Sequence, residues 1–200
     1  MSKLKKFGDC NIKIIGGQIM SRVTANIDKG DESIRSIKVV IPKSIHSDGF
    51  IDSTEMPEEP LKVEPDQKKV TEIGDIVMKL SPPYDAAIVD KESEGAIVPS
   101  FCAIIKYDDS IDPGYLLAFL NSGYCKDQLK MQVTGSVMTV LSVGKVANID
   151  FPLPAKKKQK EIGDSFTEAQ NKLRLIRRIA ELESKKNDVM IRELVKDYAE

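Results

Sequence analysis

Residues 155–200 read AKKKQKEIGDSFTEAQNKLRLIRRIAELESKKNDVMIRELVKDYAE. The stretch has no proline and one glycine, Gly163. Ile162, Phe166, Ala169, Leu173, Ile176, Ala180, Glu183, Asn187, Met190 and Leu194 follow at alternating steps of four and three. This is an unbroken heptad frame, and only Glu183 and Asn187 in it are polar. The spacing predicts a single helix with an apolar seam. About 40 residues at 1.5 Å each extend roughly 60 Å, so the helix projects beyond any domain this chain can build. Its start has two readings. Ser165 and Glu168 form an S-x-x-E capping box, but the periodicity already includes Ile162. Leu175, Ile179, Leu182 and Val189 make a second stripe on another side. Either the helix packs on its own domain there, or one side meets a partner helix and the other a separate subunit. In both cases an apolar projecting helix requires a companion in water. Asn187 at a core position suits a register-setting polar pair; a solvent-facing asparagine near a fraying end is the plainer reading.

Upstream of the helix the chain is punctuated differently. Pro152 and Pro154 close a segment, which places a domain at 1–155 and the helix at 156–200. NIKIIGG (11–17) and IKVVIPKS (37–44) are Ile/Val-rich runs ended by Gly or Pro, as short strands are. Residues 47–66 carry three prolines and seven acids with little periodicity, and are expected to form a surface loop. IGDIVMKL, AAIVD and AIVPSFCAIIKY follow as strands, with turns at Pro82-Pro83 and Glu94-Gly95. Asp112 then offers an N-cap and Pro113 a first helical position for GYLLAFLNSGYCKDQLKMQ, where Leu116, Leu117, Leu120 and Tyr124 recur at helical spacing. The expected fold class is α/β, in the α+β sense, with a long C-terminal helix.

Composition narrows the function. Cys10, Cys102 and Cys125 are odd in number and form no CxxC pair, so neither a disulfide framework nor a zinc site is expected. His46 is the single histidine, which argues against a multi-histidine metal centre. No apolar run approaches the roughly 18 residues of a membrane span. The N-terminus has lysines but no apolar core of signal-peptide length, so a cytoplasmic setting is expected. Net charge is −1, but unevenly spread: residues 1–46 carry +5 and residues 47–66 carry −6. A basic N-terminal part can face phosphate while the acidic loop points elsewhere.

GDIVMKLSPPYDAAIVDKESEGAIVPSFCAII (74–105) resembles a stretch of the specificity subunits of type I restriction–modification enzymes. So does DPGYLLAFLNSGYCKDQLKMQVTGSVMTVLSVGKVANIDFPLP (112–154), followed by Gln159 and Ile162 at the head of a long helix. GGQIMSRVTA (16–25) and VVIPKSIHSDGFID (39–52) are also similar to that family. Members commonly carry two recognition domains and two long helices per chain, whereas this sequence has one of each and resembles a half-subunit. The resemblance implies a DNA reader without enzymatic chemistry of its own. It implies methyltransferase (modification) subunits as partners, which bind S-adenosylmethionine themselves, and a restriction/motor subunit that can join them. It implies too that the helices pair antiparallel as a coiled-coil spacer. A homodimer through Ile162, Phe166, Ala169, Leu173, Ile176, Ala180, Asn187, Met190 and Leu194 would place two identical domains about a twofold axis, and such proteins read inverted repeats in double-stranded DNA.

Base and phosphate contacts require polar side chains on turns that reach a groove. The candidates are Arg22, Lys43, Ser44, His46, Lys79, Ser81, Tyr84, Ser136 and Thr139. Lys79 interrupts an apolar strand and, if unpaired, wants a polar partner such as phosphate. Ser136 and Thr139 lie among small residues that allow close approach. For any one of them an ordinary solvated side chain is the plainer reading. The lysines at 156, 157, 158 and 160 either touch the DNA backbone or simply solvate a helix start. Two other function classes stay open. Ser81-Pro82-Pro83-Tyr84 after a strand has the look of the catalytic loop of an adenine methyltransferase, in which the aromatic stacks on a flipped base. That chemistry needs a glycine-rich cofactor turn, and Gly16-Gly17 is the only candidate. A coiled-coil assembly protein with no affinity for DNA is the other class.

Overall fold

The computed structural model describes residues 3–133 and 140–196. Among these residues eight strands and four α-helices run in the order β1 (Lys3–Lys6), β2 (Ile12–Gly16), β3 (Arg35–Lys38), β4 (Glu58–Leu61), β5 (Ile76–Lys79), β6 (Ala86–Ile88), β7 (Cys102–Tyr107), α1 (Pro113–Asn121), α2 (Gly123–Met131), α3 (Val143–Ala147), β8 (Asp150–Leu153) and α4 (Lys156–Lys196). β2, β7, β5 and β6 form an antiparallel sheet in that order. β1 pairs with β8, and β3 with β4, as separate ribbons.

The central strands read as continuous apolar runs because both sheet faces are covered. Ile76, Met78, Ala103 and Ile105 point into one core with Leu116, Leu120, Cys125, Leu129, Val146 and Phe151. The alternate residues Val77, Cys102 and Ile104 enter a second core with Val40, Ile45, Ile51 and Val98. A smaller cluster of Val23, Ile37, Leu61 and Ile97 lies under the β3–β4 ribbon. Phe151 is the hub of the first core, with Phe119 at 4.7 Å, Phe7 at 5.4 Å and Tyr115 at 5.6 Å between ring centroids. These contacts tie the N-terminal ribbon to α1. All three cysteines are buried thiols. Burial pushes Cys102 and Cys125 up to about 12, so neither is a nucleophile near neutrality.

Three expectations need correction. The acidic segment 47–66 is not all loop: Glu58–Leu61 pairs with Arg35–Lys38, and Pro60 is tolerated because this ribbon is not part of the main sheet. The helix expected over residues 114–132 is two helices. Ser122 leaves the helical region at ψ 150° and its hydroxyl caps α2 by accepting from Cys125 N–H at 3.2 Å. The capping box at Ser165 lies inside α4, which starts at Lys156. The Asp112 cap with Pro113 behind it forms as read, its carboxylate accepting from Tyr115 N–H at 3.0 Å.

The head of α4 is docked onto α1. Gln159 is buried, accepts from Asp112 N–H at 2.9 Å and donates to the carbonyls of Pro154 and Ser110. One turn on, Gly163 meets Gly114 backbone to backbone. Beyond residue 170 every described side chain of α4 is exposed.

Candidate nucleic-acid interface

The candidate residues fall into two places. One is an end of the sheet where four chain turns converge. Gly17 N–H reaches Cys102 O at 3.0 Å, Ser100 N–H reaches Gln18 O at 2.8 Å, Leu80 N–H reaches Phe101 O at 2.9 Å, and Leu141 N–H reaches Leu80 O at 2.7 Å. This end carries Arg22, on a 3₁₀ turn over Met20–Arg22, and half-buried Ser81 on the turn after β5. Arg22 is exposed, and its guanidinium has no ion-pair partner among the described residues. Phe101 and Ile19 add exposed apolar surface nearby, which the sequence reading missed because both sit in apolar runs. Ser136 and Thr139 lie outside the described residues.

Burial removes three candidates from the surface. Lys79 was expected to want phosphate, but its partner is Asp85, Nζ to Oδ2 at 2.9 Å, with the lysine side chain only 11% exposed. Lys126 closes on the other oxygen of Asp85 at 2.6 Å. Burial pushes the Asp85 carboxyl up, but hydrogen bonds from Lys126 and Lys79 outweigh it and hold the group below its ordinary value. Tyr84 is buried in the main core at φ 58°, so its ring is not presented for stacking on a base. Ser44 is buried and donates to Ile41 O at 2.8 Å. Gly16-Gly17 is likewise no cofactor turn. It ends an antiparallel edge strand, and a Cβ on Gly17 would lie 2.1 Å from Pro99 O, so close backbone approach explains the glycine.

The second place is the loop around residues 43–50, of which Asp48 and Phe50 lie against α4. Lys43 is exposed and pairs with Glu55 at 2.5 Å. His46 stacks on Phe50 at 4.5 Å, and its buried Nε2 has no hydrogen-bond partner. Phe50 in turn lies under the Arg174 guanidinium, 4.2 Å from the ring centroid. Asp48 accepts from Arg177 at 2.8 Å. The pairings of Arg174 with Phe50 and Arg177 with Asp48 leave no local pattern, since their members lie more than a hundred residues apart. Gly163 did leave a sign: a lone glycine in an otherwise helical run marks close approach.

On α4 the heptad frame divides. Phe166 packs against the domain core, whereas Leu173, Ile176, Met190 and Leu194 are 44–61% exposed. Ile162, Ala169, Ala180 and Asn187 are exposed as well. The second stripe from Leu175 to Val189 is bare too. No described helix is long and apolar enough to cross a membrane. Among the described residues no group of three or more His, Cys, Asp or Glu side chains is placed to hold a metal ion.

The described chain is a mixed α/β head carrying one long helix. Two solved structures share it. The HsdS subunit from Thermoanaerobacter tengcongensis superposes with a TM-score of 0.63 at 17% identity, over 94% of this chain and 47% of that one. A chain from a structure on complex assembly and conformational transition of the type I R-M system gives 0.61 at 16% identity, over 92% and 42%. The chain therefore has the fold of one half of an HsdS specificity subunit, and spans a little under half the length of these relatives. No family model and no curated protein matches the sequence.

Proposed function

We propose that this chain is the DNA-reading specificity subunit of a type I restriction–modification system, working as paired halves in the cytoplasm. The observation that carries the reading is the combination of an HsdS-type head with a 41-residue helix whose apolar seam beyond Phe166 is uncovered in the described chain. A bare seam of this length favours association. Antiparallel pairing with a second copy holds two heads at a set separation along a duplex. The target is then bipartite and palindromic with a fixed gap. The chain contributes recognition and no catalysis. Methyltransferase subunits bring S-adenosylmethionine and the chemistry, and a restriction/motor subunit joins them. The direct test is co-purification with a modification subunit, followed by site-specific adenine methylation that requires both chains. Methylation by the modification subunit alone at the same sites refutes the role.

Two substitutions probe the two halves of the reading. Arg22→Ala is expected to weaken binding to duplex DNA and to reduce the slope of log K against log salt by about one, as for one lost phosphate contact. An unchanged slope in a salt titration moves the DNA face away from the sheet end that carries Arg22. Leu173→Glu with Ile176→Glu is expected to convert the dimer to a monomer at micromolar concentration, read by sedimentation, because it places charge on the exposed seam. A dimer that survives this change does not pair through α4.

A further inference from the structure

We infer that Arg174 and Arg177 clasp the Phe50 ring and the Asp48 carboxylate to set the angle of the long helix on its domain. Through that angle the clasp sets the gap between half-sites. The angle follows from the structure of this chain alone; the step to the gap rests on the DNA-reading proposal above.

The helix meets its domain over its first turns, through buried Gln159, Gly163 and Phe166, and again further out at Arg174 and Arg177. The near contact centres on the Gly163–Gly114 crossing, where two backbones touch with no side chain between them. Such a contact is a pivot. Past it lies a cleft of about 460 Å³, lined among others by Asp90, Leu117, Thr167, Gln170 and Asn171. Along this stretch Phe166 packs against the domain core, but Thr167 and Asn171 on the cleft wall are exposed, so few side chains interdigitate to hold the helix angle. The far point adds the missing constraint.

That far point is built rigidly on the domain side. Gly49 sits at φ +85°, and a Cβ there would lie 2.7 Å from Leu117 Cδ2, so the loop backbone is pressed onto α1. Asp48 is 1% exposed in its side chain. One of its oxygens is bound by Arg177, and the other is buried without a partner. Arg177 is thus the one cation paired with this carboxylate among the described residues. Arg174 adds a cation–π contact to Phe50, which is itself stiffened by stacking on His46. Every described residue of α4 after Arg177 is exposed.

Leverage makes the clasp matter. From Gly163 to Lys196 the helix extends about 50 Å at 1.5 Å per residue. A tilt of about 10° at the pivot moves the tip by roughly 9 Å, or between two and three base pairs at about 3.4 Å each. Releasing the clasp therefore changes which gap two paired heads can bridge, without changing either head's own contacts.

Nitroxide labels on Lys91→Cys and Glu193→Cys, in full-length chain diluted into unlabelled chain, report the angle by pulsed dipolar spectroscopy. The native cysteines are buried. We expect one narrow distance distribution, at least doubled in width by Arg174→Ala with Arg177→Ala and partly narrowed again in Arg174→Ala with Arg177→Lys. If the double variant fails to fold, Asp48→Asn keeps the shape of the acceptor, removes its charge and is expected to broaden the distribution likewise. An unchanged width in a folded variant overturns the clasp. For the second step, duplexes selected from a random pool by the unaltered chain are rebuilt with the gap varied one base pair at a time. The unaltered chain is expected to lose about tenfold in affinity per base pair off the optimum, and the double variant less than about threefold. Identical gap profiles overturn the link to spacing. Selection of no duplex at all refutes the DNA-reading proposal instead, and the label distances still decide the clasp.

Discussion

Asp85→Ala is expected to destabilise the folded chain by about 3–5 kcal/mol, the cost of leaving buried charge without its partner. The reason is geometric. Asp85 is 6% exposed in its side chain and serves two lysines at once, Lys79 at 2.9 Å and Lys126 at 2.6 Å. Removing it strands Lys79 inside an apolar strand whose neighbours are Ile76, Val77 and Met78. Urea unfolding at neutral pH measures the loss. Replacing all three charges together, Lys79→Met, Asp85→Leu and Lys126→Met, is expected to be close to neutral or stabilising, because the desolvation cost of the group disappears with its attraction. A triple variant as unstable as Asp85→Ala alone would assign the effect to packing instead. The pH dependence has a definite sign. The Asp85 carboxyl in the folded chain lies below its unfolded value, because the hydrogen bonds from Lys126 and Lys79 outweigh desolvation. Its contribution is complete above the unfolded pKa of about 3.9 and is lost as the pH falls through the folded value. The Asp85→Ala variant should therefore show a flatter acid limb than the unaltered chain, with the two curves converging under strongly acidic conditions.

Gly163→Ala is the second large effect, and its sign opposes helix propensity. In a free helix the change stabilises by up to about 1 kcal/mol. Here the new Cβ would lie 2.6 Å from Tyr115 N, 2.6 Å from Asp112 Oδ1 and 2.8 Å from Gly114 C. All three atoms belong to the capped first turn of α1, and none is the end of a flexible side chain that can swing far away. The helices must separate or the Asp112 cap must break, with a net loss of about 2–3 kcal/mol. Gly144 supplies the contrast. It lies in α3 with nothing within 4 Å of a built Cβ, so Gly144→Ala is expected to gain about 0.5–1 kcal/mol. Urea midpoints of the two variants should move in opposite directions. Equal shifts would mean that the α1–α4 crossing is not tight.

Both effects hinge on partners that meet only once separate elements have packed, and this sets the limit of what could be read beforehand. The heptad frame of α4, the Asp112-Pro113 start of α1 and the Ile/Val-rich strands were legible because each is decided within a turn or two of local chain. Ser122 as a helix divider was not, since a serine inside an apolar helical pattern looks like any tolerated polar residue. Lys79 was read as an unpaired charge on an apolar strand. The sequence does place Asp85 six residues on, but only the pairing of β5 with β6 brings the two groups together.

By itself, then, the sequence determined the periodicities: which Ile/Val-rich segments are strands, that the last forty-odd residues are one helix, and that this helix carries an apolar seam. Tertiary structure decided the pairings: Lys79 and Lys126 with Asp85, Gly163 with Gly114, and Arg177 with Asp48 across 129 residues. Backbone geometry repeats every two or 3.6 residues and so leaves a local imprint. A contact between distant segments has no such period, because packing selects it only after the elements exist.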